Sequence, residues 1–211
     1  MPGITNNTIL EFQARIERFD QAYIEDWNEW LRTPMQNRSY QLGVILRRWQ
    51  ACRPNRMRRT RNEGIHNPPY LENLVTDSTP HIQALQAFDI RLAEAFTEQT
   101  REALRELWEI FKQLSYQGRV RGGLAGVVGI SKAVLLLSEG RVGPAFDSEV
   151  RRQLNISAIN NANDWIEALR VVNQDIIEFE MINNTTLQHA VPNYAHLHNG
   201  RIYDMALGPG G

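Results

Sequence analysis

The sequence predicts an all-α chain, folded as one helical domain over residues 1–211. Three observations predict it. Apolar residues recur at intervals of three and four along most of the chain, the period of one helix face. No segment shows the sustained alternation, bounded by hairpin turns, of a half-buried strand. The composition, 42% hydrophobic and 22% charged, is that of a globular domain with one sizeable core or two lobes sharing a cleft.

The elements follow in order. Thr8 caps a first helix from Ile9 to about Leu31, with Ile9, Phe12, Ile16, Phe19, Tyr23 and Trp27 on one face, and Pro34 ends it. Tyr40 to Cys52 reads as a second helix, Leu42, Ile45, Leu46 and Trp49 inward and Arg47 and Arg48 outward. Arg53 to Asn73, with three prolines, reads as a basic loop. Thr79-Pro80 has the form of an N-cap followed by proline at the first helical position, so a helix is expected from Pro80 to Phe96. Thr100 opens the next, to about Tyr116. Gly118 to Gly129 is glycine-rich, and a short apolar helix follows from Ser131 to Ser138. After a loop, Asp147 caps a helix from Ser148 to Leu154. Asn163 caps a long amphipathic helix, Asp164 to about Met181, on which Asp175, Glu178 and Glu180 read as a solvated face. A short segment from Arg201 to Leu207 precedes a Gly-Pro-Gly-Gly end expected to fray.

Composition removes several classes of function. Cys52, the single cysteine, excludes an internal disulfide framework and any iron–sulfur or zinc–thiolate set. His189, His196 and His198 form no helix-spaced pair and have no adjacent acidic ligand before Asp204, so they read as loop histidines; neither metal nor cofactor is expected. The opening residues lack a charged region followed by an apolar run, and the apolar stretch Ala133 to Leu137 is too short to span a bilayer. No membrane partner is expected, and the cytosol is the expected compartment.

The net charge of −1 conceals an uneven distribution. Between Arg32 and Asn62 stand nine arginines, including Arg47, Arg48, Arg58 and Arg59, and no acidic residue. Arginine's planar fork matches phosphate, so the run suggests an anionic partner, with nucleic acid first. The alternative is a run that pairs with the acidic helices.

The centre of the chain carries the chemistry. It reads Leu124-Ala125-Gly126-Val127-Val128-Gly129-Ile130-Ser131-Lys132, then Pro144-Ala145-Phe146-Asp147-Ser148-Glu149-Val150-Arg151-Arg152. One helix ends, glycines permit a tight turn, and another helix starts. The free N–H groups around Gly126, Val128, Gly129 and Ser131 can hold a phosphate without reading sequence. Lys132 is expected in the first turn, where the helix dipole favours the neutral, nucleophilic amine. Asp147 is expected at another helix N-terminus, which stabilises a carboxylate. Arg151 and Arg152 stand ready for phosphates, as does the arginine run.

Glycine hairpin, Ser-Lys, short apolar helix, proline-containing loop and Asp followed by Val-Arg-Arg resemble the helix–hairpin–helix DNA glycosylase superfamily, and most closely its uncharacterised glycosylase-like members. The resemblance covers about 35 residues, Gly118 to Arg152. It implies a two-lobed helical fold in which the hairpin grips the DNA backbone beside an extruded nucleotide. Gly126 and Gly129 match the hairpin glycines, Asp147 the carboxylate that assists departure of the base, and Lys132 the amine that attacks the sugar in bifunctional members. Ala125 stands where the family has proline, Val128 adds a residue between the glycines, and the interval from Lys132 to Asp147 is shorter. Asp147 is therefore the firmer correspondence. Three functions follow as alternatives: a base-excising enzyme, a non-catalytic DNA-binding module, and a helical protein-interaction domain.

Overall fold

Helices and turns, with no strand, form among the residues that the computed structural model describes, 3–51, 70–114 and 124–210. The α-helices are α1 (Ile9–Glu17), α2 (Gln21–Arg32), α3 (Arg38–Arg48), α4 (Tyr70–Ala84), α5 (Glu98–Phe111), α6 (Val127–Leu137), α7 (Ser148–Gln153), α8 (Ala162–Asn183), α9 (Leu187–Ala190) and α10 (Asn199–Leu207). Their buried apolar side chains join one core cluster, to which every helix contributes. Trp49, Trp108 and Trp165 lie in it, as their apolar stripes predict.

Several boundaries differ from the sequence reading. The first expected helix is two. Asp20 caps α2 by accepting from the Ala22 N–H, and its own N–H donates to the Pro209 carbonyl at 3.0 Å. The far end of the chain thus occupies the break, and the Gly-Pro-Gly-Gly tail is tied down through Pro209. Pro80 lies inside α4 instead of opening a helix. The buried positions Leu71, Leu74 and Ser78 and the partly buried Ile82 continue one helix face across it, and their burial outweighs the local proline signal. α5 starts at Glu98, capped by Thr97 rather than Thr100, and α8 at Ala162, capped by Asn161 rather than Asn163. Asp147 caps α7, accepting from two backbone N–H groups.

Two helices lie deep in the fold. All nine residues of α10 are buried, and nine of the eleven in α6. An apolar stripe on one face does not account for that. These helices are packed on all sides, so their polar residues need internal partners. The chain before α6 returns to the end of α5, where the Ala125 N–H donates to the Lys112 carbonyl at 2.6 Å. The remaining glycine-rich residues, Gly118, Gly122 and Gly123, and the basic stretch with Arg58 and Arg59, lie outside the described residues.

Candidate functional site

Lys132 and Asp147 come to shared neighbours through α6, α10 and the loop between α6 and α7. Ser131, buried on α6, spends its hydroxyl twice: it donates to the Val127 carbonyl (2.7 Å) and accepts from the Phe146 N–H (2.9 Å). That second bond fixes the residue before Asp147 against α6. The Ala145 N–H donates to Asp204 Oδ1 at 2.9 Å, so the same loop is also pinned to α10. Asp147 Oδ1 then accepts from the Glu149 and Val150 N–H groups, each at 3.0 Å. Its other carboxylate oxygen has no partner among the described residues. The side chain is partly exposed.

Lys132 is 4% exposed and stands in the second turn of α6, not the first, because the helix begins at Val127. Its Nζ donates to the Trp49 carbonyl at 3.0 Å and lies 5.6 Å from the centre of the Tyr23 ring and 5.9 Å from that of Trp49. A carbonyl acceptor and two π faces are surroundings that suit an ammonium ion. Lys132 bridges α6 to the end of α3, where Trp49 caps the helix.

Beneath both residues lies a buried ion pair. Arg201 Nη1 meets Asp204 Oδ2 at 2.5 Å within one turn of α10, and both residues are nearly inaccessible. The guanidinium also donates to the Tyr23 carbonyl (3.3 Å) and stacks over the Trp27 ring (4.5 Å) and the Phe19 ring (5.0 Å). Burial pushes the Asp204 carboxyl up; Arg201 and, more weakly, Lys132 pull it back, while Asp147 adds to the rise. Tyr23 is also held above its ordinary value, first by burial and then by Asp147. Lys132 and Asp147 therefore both act electrostatically on the Asp204 carboxylate, and Asp147 also on the Tyr23 phenol, whose ring Lys132 faces.

The remaining expected contacts divide. Gly126 is exposed, with extended backbone (φ −84°) and open space around it; it caps α6 without a side-chain hydrogen bond. Val128 is partly exposed. Gly129 is buried inside α6, and Ser131 is buried with its hydroxyl engaged, so neither presents itself to a backbone phosphate. Arg151 donates to the carbonyls of Asp147 and, at 3.5 Å, Ser157; Arg152 is exposed and paired with Glu149. Arg48 is held by Asp26 (2.6 Å) and Glu29 (2.7 Å), and Arg38, from the same run, by Glu139 (3.2 Å) while it stacks on Trp30. Part of the arginine run thus finds acidic partners outside itself. Arg47 is partly buried and engaged within the fold.

Two surface clefts lie elsewhere. One, of about 250 Å³, is lined by Gln13, Glu17 and Tyr194 among others; the second, of about 550 Å³, by Glu29, Pro34 and Tyr40 among others. Neither is lined by Lys132 or Asp147. Among the described residues there is no metal-binding group of three or more His, Cys, Asp or Glu, and no helix long and apolar enough to cross a membrane.

Sequence reasoning missed Tyr23 and the positioning role of Ser131. Tyr23 falls on the apolar stripe of its helix, and a hydroxyl at Ser131 looks like any helix-surface serine; no local signal separates them from packing residues. No family model, curated protein or solved structure matches the chain.

Proposed function

We propose that this chain is a two-lobed helix–hairpin–helix protein that engages DNA and cleaves an N-glycosidic bond, with Asp147 as the acting carboxylate. The observation that carries the reading is the state of Asp147. One oxygen is locked by two backbone N–H groups while the other has no partner among the described residues. A carboxylate fixed in advance, with one oxygen available, stabilises positive charge that develops on a sugar as the base leaves, without reorganising during the reaction. The nucleotide must leave the stack to reach it. Gly126 and Val128, at the start of α6 where no side chain bonds the free N–H groups, supply donors for a phosphate, and Arg151 a nearby cation.

Lys132 supports this chemistry as a positioning residue. Its burial and its bond to Trp49 favour a monofunctional reaction, in which water rather than an amine takes the sugar. The test is a panel of duplexes carrying damaged or mispaired bases, with free base measured by mass spectrometry. Wild-type protein is expected to release a base and Asp147→Asn to lose at least about a hundredfold in rate, the scale of one preorganised electrostatic group. Borohydride trapping is expected to give no covalent adduct. An adduct lost in Lys132→Gln would restore Lys132 as nucleophile. DNA binding without base release would leave only the binding-module function, and no binding even at low salt would end both.

A further inference from the structure

Tyr23 is the aromatic side chain of the Lys132–Asp147 neighbourhood that stays partly open to solvent. Three inner neighbours fix its ring. Trp49 lies 5.1 Å away at 31°, Phe19 meets it edge-on at 5.8 Å, and Lys132 Nζ sits 5.6 Å from its centre. Its backbone carbonyl is held by Arg201. The hydroxyl, by contrast, has no hydrogen-bond partner among the described residues. Tyr203, the other tyrosine of this central region, spends its hydroxyl on Asp175 at 2.6 Å. A rigid ring with an unspent donor, on a side chain close enough to Asp147 to feel its charge, is equipped to meet a planar group that carries an acceptor.

We infer that Tyr23 is the surface against which the extruded base packs, its hydroxyl donating to an acceptor atom of that base. The inference rests on the reading of Asp147 above and adds the contact that would distinguish a base from an empty sugar. Aromatic stacking tolerates any base, because each has a π face; the hydroxyl adds a preference for bases with an acceptor on the contacted edge. The phenol stays protonated, and so remains a donor, because burial and the surrounding carboxylates oppose its ionisation.

The experiment compares two duplexes that differ at one position: one carries mispaired hypoxanthine, the other a tetrahydrofuran abasic analogue. Binding of full-length protein is measured by fluorescence anisotropy, with Asp147→Asn as the background so that no base is released. Tyr23→Ala is expected to weaken binding to the base-bearing duplex about tenfold and to leave the abasic duplex unchanged. Tyr23→Phe is expected to cost about threefold, on the base-bearing duplex alone. Equal losses on both duplexes, or no loss on either, overturn the inference. Should Tyr23→Ala fail to fold, Tyr23→Phe decides: no base-specific loss overturns it. Failure of the parent reading looks different. Wild-type protein that discriminates base from abasic site through Tyr23 yet releases no base leaves the inference standing and removes the enzyme. Base release with no effect at Tyr23 does the reverse.

Discussion

At the scale of single residues, the fold is decided by charges placed where charges are costly. Asp175, expected on a solvated face, is buried on α8 and accepts from the Ile4 and Thr5 N–H groups, the Thr5 hydroxyl and the Tyr203 hydroxyl. The N-terminal segment folds over it and removes it from water. Arg201 and Asp204 are the second case. Breaking a buried pair by removing one partner leaves the other charge uncompensated, whereas replacing both with apolar groups removes the desolvation cost as well. Arg201→Met is therefore expected to cost about 3–5 kcal/mol, and Arg201→Met/Asp204→Leu clearly less than the two single changes together. Urea unfolding of the three variants measures this. Additive losses would show that the two side chains do not act as a pair. The sequence displays Arg201 and Asp204 three residues apart on a helix, so a local pair is legible; that the pair lies beneath the candidate site is not.

At the scale of elements, α10 and the loop before α7 touch through backbone. Gly140 has φ +80°, and a Cβ there would fall 2.4 Å from Arg201 Cβ. A Cβ on Gly200 would stand 2.5 Å from the Gly140 carbonyl oxygen and 2.7 Å from Gly143 Cα. Both obstacles are main chain, so they cannot rotate away. Gly200→Ala is expected to push α10 off the loop that carries Asp147 and to destabilise the protein by about 1–3 kcal/mol or more. The loss appears as a lower Tm, with any Asp147-dependent activity falling alongside it. An unchanged Tm would mean that the loop and α10 are not packed this closely. Caps and faces made most elements legible: Thr8 and Asp147 cap helices where their side chains predict it. Two of the misread boundaries share a cause. At Asp20 a distant carbonyl decided, and at Pro80 a buried face continued through a residue that normally stops a helix.

At the scale of the whole molecule, separated segments meet around His198, which precedes α10. Burial lowers its pKa from the ordinary 6.5; Arg141 lowers it further, while Glu139 and Asp89 pull the other way. A base with a depressed folded pKa binds fewer protons when folded than when unfolded. Its contribution to stability is present above the ordinary value and is lost as pH falls from about 6.5 through the folded value. Glu180 works with the opposite sign, since burial raises its pKa and protonation at lower pH relieves the folded state. Stability of His198→Asn relative to wild type, measured by denaturant between neutral and mildly acidic pH, isolates the histidine. The variant is expected to lose less stability than wild type on acidification. A constant difference across that range would mean that His198 does not titrate differently in the folded state.

By itself the sequence determined the helical class, most of the inward faces and the cap at Asp147. These depend on periodicity and on hydrogen bonds a few residues long, which local order carries. It also displayed the arginine run and the Ser-Lys and Asp motifs as candidates. Tertiary structure alone decided that α6 and α10 are buried on all sides, that Ser131 holds the Asp147 loop, and that Lys132 is a buried clamp on Trp49. It also brought Tyr23 to the same place. Those facts depend on which distant groups meet, and a buried polar residue takes its role from the partner that satisfies it. The partners lie far along the chain: Trp49 for Lys132, Ile4 and Thr5 for Asp175, Pro209 for Asp20.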